Sequence, residues 1–140
     1  MDGEHSRQSI APLQGSELEL WLAGLEDFDQ KRYWHAHEDW EDLWNAHKRR
    51  QAPQSEILFV QGMIQTAALL LNHERQKTRG VKNLQLKVNT KLGSWSCVWG
   101  IDVAQHVQSM NTFAADAASR EVMRIHTDIH TDILTYMLIY

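Results

Sequence analysis

The sequence predicts an all-α protein, a single-domain bundle of five or six helices. Apolar residues recur at the three- and four-residue spacing of amphipathic helices, the strict alternation of half-exposed strands is scarce, and only two prolines interrupt 140 residues. A chain of this length can bury a core without disulfides or metal ions. We therefore expect a flexible tail over residues 1–15 and one helical domain over residues 16–140.

The first two predicted helices are delimited by capping and charge signals. Ser16 is followed three residues later by Glu19, a capping-box spacing that predicts a helix beginning there and ending near residue 30. A second helix is predicted over residues 31–50. Its basic end, Lys48 to Arg50, suits the negative end of the helix dipole.

The third helix is predicted to be central, because the stretch that follows Pro53 or Ser55 is apolar on nearly every side. A fourth helix is expected over residues 79–92. The stretch WSCVWG is predicted to be a short loop, after which Asp102 can cap a fifth helix that runs past residue 118. A final segment begins near residue 120 and ends in ILTYMLIY, an apolar run expected to pack into the bundle or into a second copy of the chain.

Composition argues against several classes of partner. A net charge of -4 does not suit a protein that binds nucleic-acid phosphates, since such binding depends on clustered lysines and arginines. No apolar run approaches the roughly 20 residues of a membrane span. The single cysteine, Cys97, excludes an intrachain disulfide and suits a reducing compartment. We expect a cytoplasmic protein with no nucleic-acid or membrane partner and with a homo-oligomer as a candidate assembly.

The second predicted helix combines aromatic and titratable side chains on one face. At 100° per residue, an arc of about 120° contains Tyr33, Trp34, His37, Trp40, Glu41 and Trp44. This pattern predicts that His37 and Glu41 are buried among rings, with Glu38 at the margin.

The third predicted helix also places polar side chains on a face expected to be buried, because Gln61 and Gln65 share one stripe of an otherwise apolar helix. A buried amide or carboxylate without a partner costs about 1 to 3 kcal/mol, so these groups should meet one another, water, a metal or a ligand. We expect antiparallel packing of helices two and three, with His37 and Glu41 facing the two glutamines. Gly62 would then permit a close approach of the two backbones.

These side chains form a candidate site that admits three interpretations. The candidate residues are His37, Glu38, Glu41, Trp44, Gln61, Gln65 and His73. A structural network would satisfy them internally and fix the packing of the two helices. A pocket would use them to bind a small polar ligand or a partner, with tryptophan as a wall. A divalent metal held by His37, Glu41 and His73 would support hydrolase-like chemistry.

Two sequence motifs in this region resemble a known family. They are AHExxE…W, from Ala36 to Trp44, and QGxIQ, from Gln61 to Gln65. The chain resembles the small all-helical family named domain of unknown function 309 over about residues 24–92, with a weaker likeness to residue 102. The resemblance implies a compact helical fold and no established activity that could be transferred to this chain.

Overall fold

A computed structural model of the chain describes residues 10–115 and residue 123, and it confirms the all-α prediction. The helices are α1 (Gly15–Asp29), α2 (Tyr33–Arg49), α3 (Gln54–Glu74), α4 (Thr78–Leu92) and α5 (Val103–Ala115). Between α4 and α5 lies a small hairpin of strands β1 (Cys97–Val98) and β2 (Ile101–Asp102). The predicted segment from residue 120 onward lies outside the described residues, apart from the buried Met123.

Successive helices pack side by side. Helix α2 contacts α1 and α3, α3 contacts α2 and α4, and α5 packs on α4. The turns that join the first four helices are three or four residues long, so neighbouring helices run in opposite directions. This arrangement confirms the predicted adjacency of α2 and α3.

Three of these helices end in the same turn, although none has glycine at the turning position. Lys31, Gln51 and Gln76 adopt φ values of 66°, 55° and 59°. In the first turn, the Lys31 N–H donates to the Phe28 carbonyl and the Arg32 N–H donates to the Asp27 carbonyl. This pair of bonds is the Schellman motif, which satisfies carbonyls that the helix leaves unpaired.

Aromatic side chains from α1, α2 and the turn of the hairpin form the centre of the core. The Trp21 ring lies 5.2 Å from Trp99 and 5.8 Å from Trp40. The indole N–H of Trp21 donates to the Trp99 carbonyl at 3.1 Å, and that of Trp40 donates to the Trp21 carbonyl at 3.3 Å. Trp99 in turn donates to the Ala11 carbonyl at 3.0 Å. These three buried indoles therefore all have hydrogen-bond acceptors, as aromatic rings with a polar atom usually do in a core.

The predicted loop at WSCVWG is wrong, because residues within it form the β1–β2 hairpin. Val98 pairs with Ile101, and the two residues between them, Trp99 and Gly100, have φ values of 45° and 87°. Two positive φ angles are characteristic of the tight turn that matches strand twist. Trp99 accepts this unusual backbone because its ring is packed against Trp21 in the core. Cys97 is exposed on this hairpin.

The predicted capping box is also wrong. Helix α1 begins at Gly15, one residue before Ser16, and its N-cap residue Gln14 makes no side-chain capping bond. The buried side chains of Leu13 and Leu18 flank this start, an apolar pairing that can fix the entry of a helix without a polar cap. The predicted Asp102 cap is confirmed, since its Oδ1 accepts the Gln105 N–H at 2.9 Å.

Candidate functional site

The face of α2 that packs into the core differs from the predicted one. Its buried residues are Tyr33, Ala36, Trp40, Leu43 and His47. These residues recur at spacings of three and four, which places the centre of the buried stripe about 80° around the helix from the centre of the predicted arc. The predicted burial of Glu41 is therefore wrong.

The burial of individual residues shows this rotation directly. Trp34 is 51 % exposed, and both Glu38 and Glu41 are exposed. His37 and Trp44 have intermediate exposure, as do Gln61 and Gln65 on α3. The predicted site residues of α2 thus lie at or near the surface and not in the aromatic core.

Most of the candidate residues nevertheless share one side of the molecule. Asp39 interacts with Asp27 of α1, and His37 lies about 160° around α2 from Asp39. His37 and Trp44 therefore face away from α1, on the side of α3. We call the surface formed there by α2 and α3 the outer surface, and we define it by Trp34, His37, Glu41, Trp44, Gln61 and Gln65.

A contact between the C-terminal end of α2 and the N-terminal end of α3 shows which residues of the two helices lie side by side. His47 Nε2 lies 3.4 Å from Glu56 Oε1. Because the two helices are antiparallel and each rises 1.5 Å per residue, ten residues from this contact bring His37 level with Thr66. His37 and Gln65 therefore lie at similar positions along the two helix axes, as predicted, although Glu41 points to solvent.

Three polar atoms on the outer surface are shielded from water without a hydrogen-bond partner. They are His37 Nδ1, Trp44 Nε1 and Gln65 Oε1. The Trp34 ring stacks on the His37 imidazole with centroids 5.4 Å apart and planes inclined by 3°. Such shielded polar atoms are uncommon in folded proteins, and each calls for a physical explanation.

His73 lies apart from the other candidate residues. It is eight residues, or about 12 Å, along α3 from Gln65, and its ring lies 4.5 Å from that of Phe113 on α5. Its Nε2 is shielded and has no hydrogen-bond partner. Over residues 10–115 and 123, no three His, Cys, Asp or Glu side chains come together to hold a metal ion. The predicted metal set of His37, Glu41 and His73 is therefore not supported.

A second polar cluster, which the sequence analysis missed, lies at the end of α2. His47 and Glu56 are buried, with exposures of 0 % and 5 %. Arg50 binds both carboxylate oxygens of Glu17, at 2.8 and 3.1 Å, and its Nη2 lies 3.2 Å from His47 Nε2. This cluster ties the first turn of α1 to the end of α2 and the start of α3.

Both ring nitrogens of His47 have polar neighbours. Nδ1 lies 3.2 Å from the Leu43 carbonyl oxygen. Nε2 lies 3.2 Å from Arg50 Nη2, a donor, and 3.4 Å from Glu56 Oε1, an acceptor, so these contacts are compatible with a proton on either ring nitrogen. The hydrogen bond to Glu17 raises the pKa of Arg50 above its ordinary value. The spacing of His47 from Tyr33, Trp40 and Leu43 is the sequence signal that could have revealed its burial.

A pair of acidic side chains joins α1 to α2. Burial and the hydrogen bond to Asp27 raise the pKa of Asp39 to about 7. Burial alone would raise the pKa of Asp27 as well, but hydrogen bonds from Asp39 and Arg32 outweigh it and lower that pKa. Arg32 Nε lies 2.7 Å from Asp27 Oδ1. Two carboxylates have no proton to share, so this contact stabilises the state in which Asp39 is protonated and Asp27 is charged.

Two glycines lie where helices meet, but Gly62 does not serve the predicted contact. A Cβ at Gly62 would come within 2.6 Å of Leu92 on α4, so this glycine accommodates α4 and not α2. Gly24 of α1 has the closer contact with α2, since a Cβ there would overlap the Trp40 indole.

The comparisons with known proteins bear on residues 21–84. These residues match the family model described as Domain of unknown function (DUF309). Neither the curated proteins nor the solved structures give a match to the chain. Within the described residues, no helix is both long and apolar enough to cross a membrane. The segment that carries Trp34, His37 and Gln65 therefore lies within the part of the chain that matches this family model, which overlaps the residues of the predicted resemblance.

Proposed function

We propose that the protein binds a small polar ligand on its outer surface. The observation that carries this proposal is that His37 Nδ1 and Trp44 Nε1, seven residues apart on one face of α2, are both shielded and unpartnered, as is Gln65 Oε1, which lies level with His37 on α3. A ligand that hydrogen-bonds to these atoms would recover the desolvation energy that the free protein loses at each, about 1 to 3 kcal/mol.

The core of the same protein supports this interpretation by contrast. The indole N–H groups of Trp21, Trp40 and Trp99 all donate to backbone carbonyls, whereas that of Trp44 has no acceptor. A chain whose core indoles are satisfied is expected to satisfy a purely structural tryptophan in the same way. The exception at Trp44 therefore favours binding over packing.

Binding is also favoured over the alternative of a metal-dependent enzyme that uses His37 and Glu41. Glu41 is exposed, His73 faces Phe113, and the described residues contain no group of three metal-ligating side chains. A cytoplasmic location and a homo-oligomeric assembly remain predictions from the sequence.

The test replaces Gln65 by leucine, which removes the shielded amide at similar volume. Melting temperatures would be measured for the wild type and Gln65→Leu, alone and with neutral amides (acetamide, urea), carboxylates (acetate, succinate) and organic cations (methylguanidinium, butylammonium). We expect Gln65→Leu to be as stable as the wild type or more stable, because a shielded carbonyl oxygen without a hydrogen-bond partner is removed. At least one class of probe should stabilise the wild type and not the variant.

The matched control is Gln108→Leu, which makes the same change at an exposed position of α5. It should respond to the probes as the wild type does. If Gln65→Leu lowers the melting temperature while no probe distinguishes it from the control, the amide is structural and the proposal is overturned.

A further inference from the structure

Trp34 is the most exposed aromatic side chain of the outer surface. One face of its indole stacks on the imidazole of His37, and 51 % of the residue remains accessible. Burying the rest of such a ring would stabilise a complex, whereas leaving it in water contributes nothing to the fold. The open ring is therefore a contact that the protein leaves available.

Trp44, on the same side of α2, differs from Trp34 in the charged residue that lies four positions beyond it. The Lys48 ammonium lies over the Trp44 ring, with Nζ 3.4 Å from the centroid. Lysine at four residues beyond the tryptophan thus supplies an internal cation–π contact. The residue four beyond Trp34 is the exposed Glu38, so Trp34 has a carboxylate where Trp44 has a cation.

The polar groups within one turn of Trp34 on α2 are His37 and Glu38. Glu38, four residues beyond Trp34, is an exposed carboxylate. His37 Nδ1 has no partner and can accept a hydrogen bond when its proton is on Nε2. An aromatic face beside an acceptor and a carboxylate favours a ligand that carries positive charge and several donors.

We propose that the ligand of the outer surface is a small organic cation, an alkylammonium or guanidinium compound. Its charged group lies over the open face of Trp34 and pairs with Glu38, and it donates a hydrogen bond to the shielded His37 Nδ1. This inference rests on the proposed binding function and specifies the chemical class of the ligand. The net charge of -4 also favours the approach of a cation.

The experiment measures the dissociation constant of methylguanidinium and of butylammonium by calorimetry, with acetate and acetamide as probes of the other classes. The variants are Trp34→Ala and Glu38→Gln, and the control is Glu19→Gln, which neutralises an exposed carboxylate on α1. All three sites are exposed, so the variants should fold as the wild type does.

We expect the wild type and the control to bind one of the two cations. Trp34→Ala should weaken binding by roughly 5- to 30-fold, the factor that corresponds to a cation–π contact of about 1 to 2 kcal/mol. Glu38→Gln should weaken it less and should flatten its dependence on salt concentration.

One result would overturn this inference and leave the proposed function in place: binding of acetate or acetamide, but of neither cation, in a manner that Gln65→Leu abolishes. Binding of an arginine-containing peptide when neither free cation binds would make the surface a protein-docking site and would overturn both. If no probe of any class binds, the proposed function fails together with this inference.

Discussion

Replacing Asp39 by asparagine should remove a pH dependence of stability that the acid pair creates. The pKa of Asp39 is raised from 3.8 to about 7 by burial and by its hydrogen bond to Asp27. Between these two values the folded protein binds more protons than the unfolded chain, so its free energy of unfolding falls as the pH rises from about 4 to 7. Above about pH 7 this stabilisation by the protonated Asp39 is fully lost.

The size of this effect follows from the linkage between protonation and folding. A carboxyl group with this shift in pKa would lose about 4 kcal/mol across the interval if it were isolated from solvent. Asp39 is only partly buried, and screening by water reduces the loss to roughly 1 to 2 kcal/mol. In a domain of this size, such a loss lowers the melting temperature by about 3 to 5 °C for each kcal/mol.

The assay is a series of melting temperatures from pH 5 to pH 8 for the wild type, Asp39→Asn and the control Glu19→Gln. Asparagine keeps a donor for Asp27 at every pH, so Asp39→Asn should be more stable than the wild type at pH 8 and close to it at pH 5. Comparing the proteins at equal pH cancels the titration of the histidines. A difference between wild type and Asp39→Asn that does not change over this range would refute the shared proton.

Three further substitutions test the packing. Glu41→Ala should change the free energy of unfolding by less than about 0.5 kcal/mol in a denaturant melt, because the side chain is exposed; a loss of 2 kcal/mol would restore the predicted buried network. Glu56→Ala should cost roughly 1 to 3 kcal/mol, because it removes a buried partner of His47, and an unchanged melt would deny the cluster a structural role. Gly24→Ala should cost about 1 to 3 kcal/mol and alter Trp40 fluorescence, since the added methyl overlaps that indole; a protein with wild-type stability and spectrum would contradict the close packing.

The sequence predicts the helices well because apolar residues recur at helical spacing and because Pro53 and Gly93 mark two of the helix ends. The observed bounds of α1, α2 and α4 lie within two residues of the predicted ones, α3 begins between its two predicted starts, and Asp102 caps α5 as expected. The failures occur where tertiary packing replaces a local signal. Ser16 does not cap α1, because the helix begins one residue earlier, where Leu13 and Leu18 are buried. The turn at Trp99 forms because the ring of this residue is packed in the core.

The candidate site is predicted less well, because the rotation of α2 was judged from its tryptophans. The predicted arc included Trp34 and Trp44, so it was centred on the outer surface. The buried face instead contains the small Ala36 and the titratable His47. A stripe at spacings of three and four is better evidence of the core face than the largest side chains. The pairing of Asp27 with Asp39 depends on two different helices, and no spacing along one helix could have revealed it.

The most direct test of binding follows the indole N–H signals of the six tryptophans by NMR while methylguanidinium and butylammonium are titrated. Trp21, Trp40, Trp95 and Trp99 are buried, so their signals should stay in place and serve as internal controls. The account predicts saturable shifts confined to Trp34 and Trp44, which Gln65→Leu weakens. Shifts spread evenly over all six indoles, or largest in the core, would contradict a binding site on the outer surface.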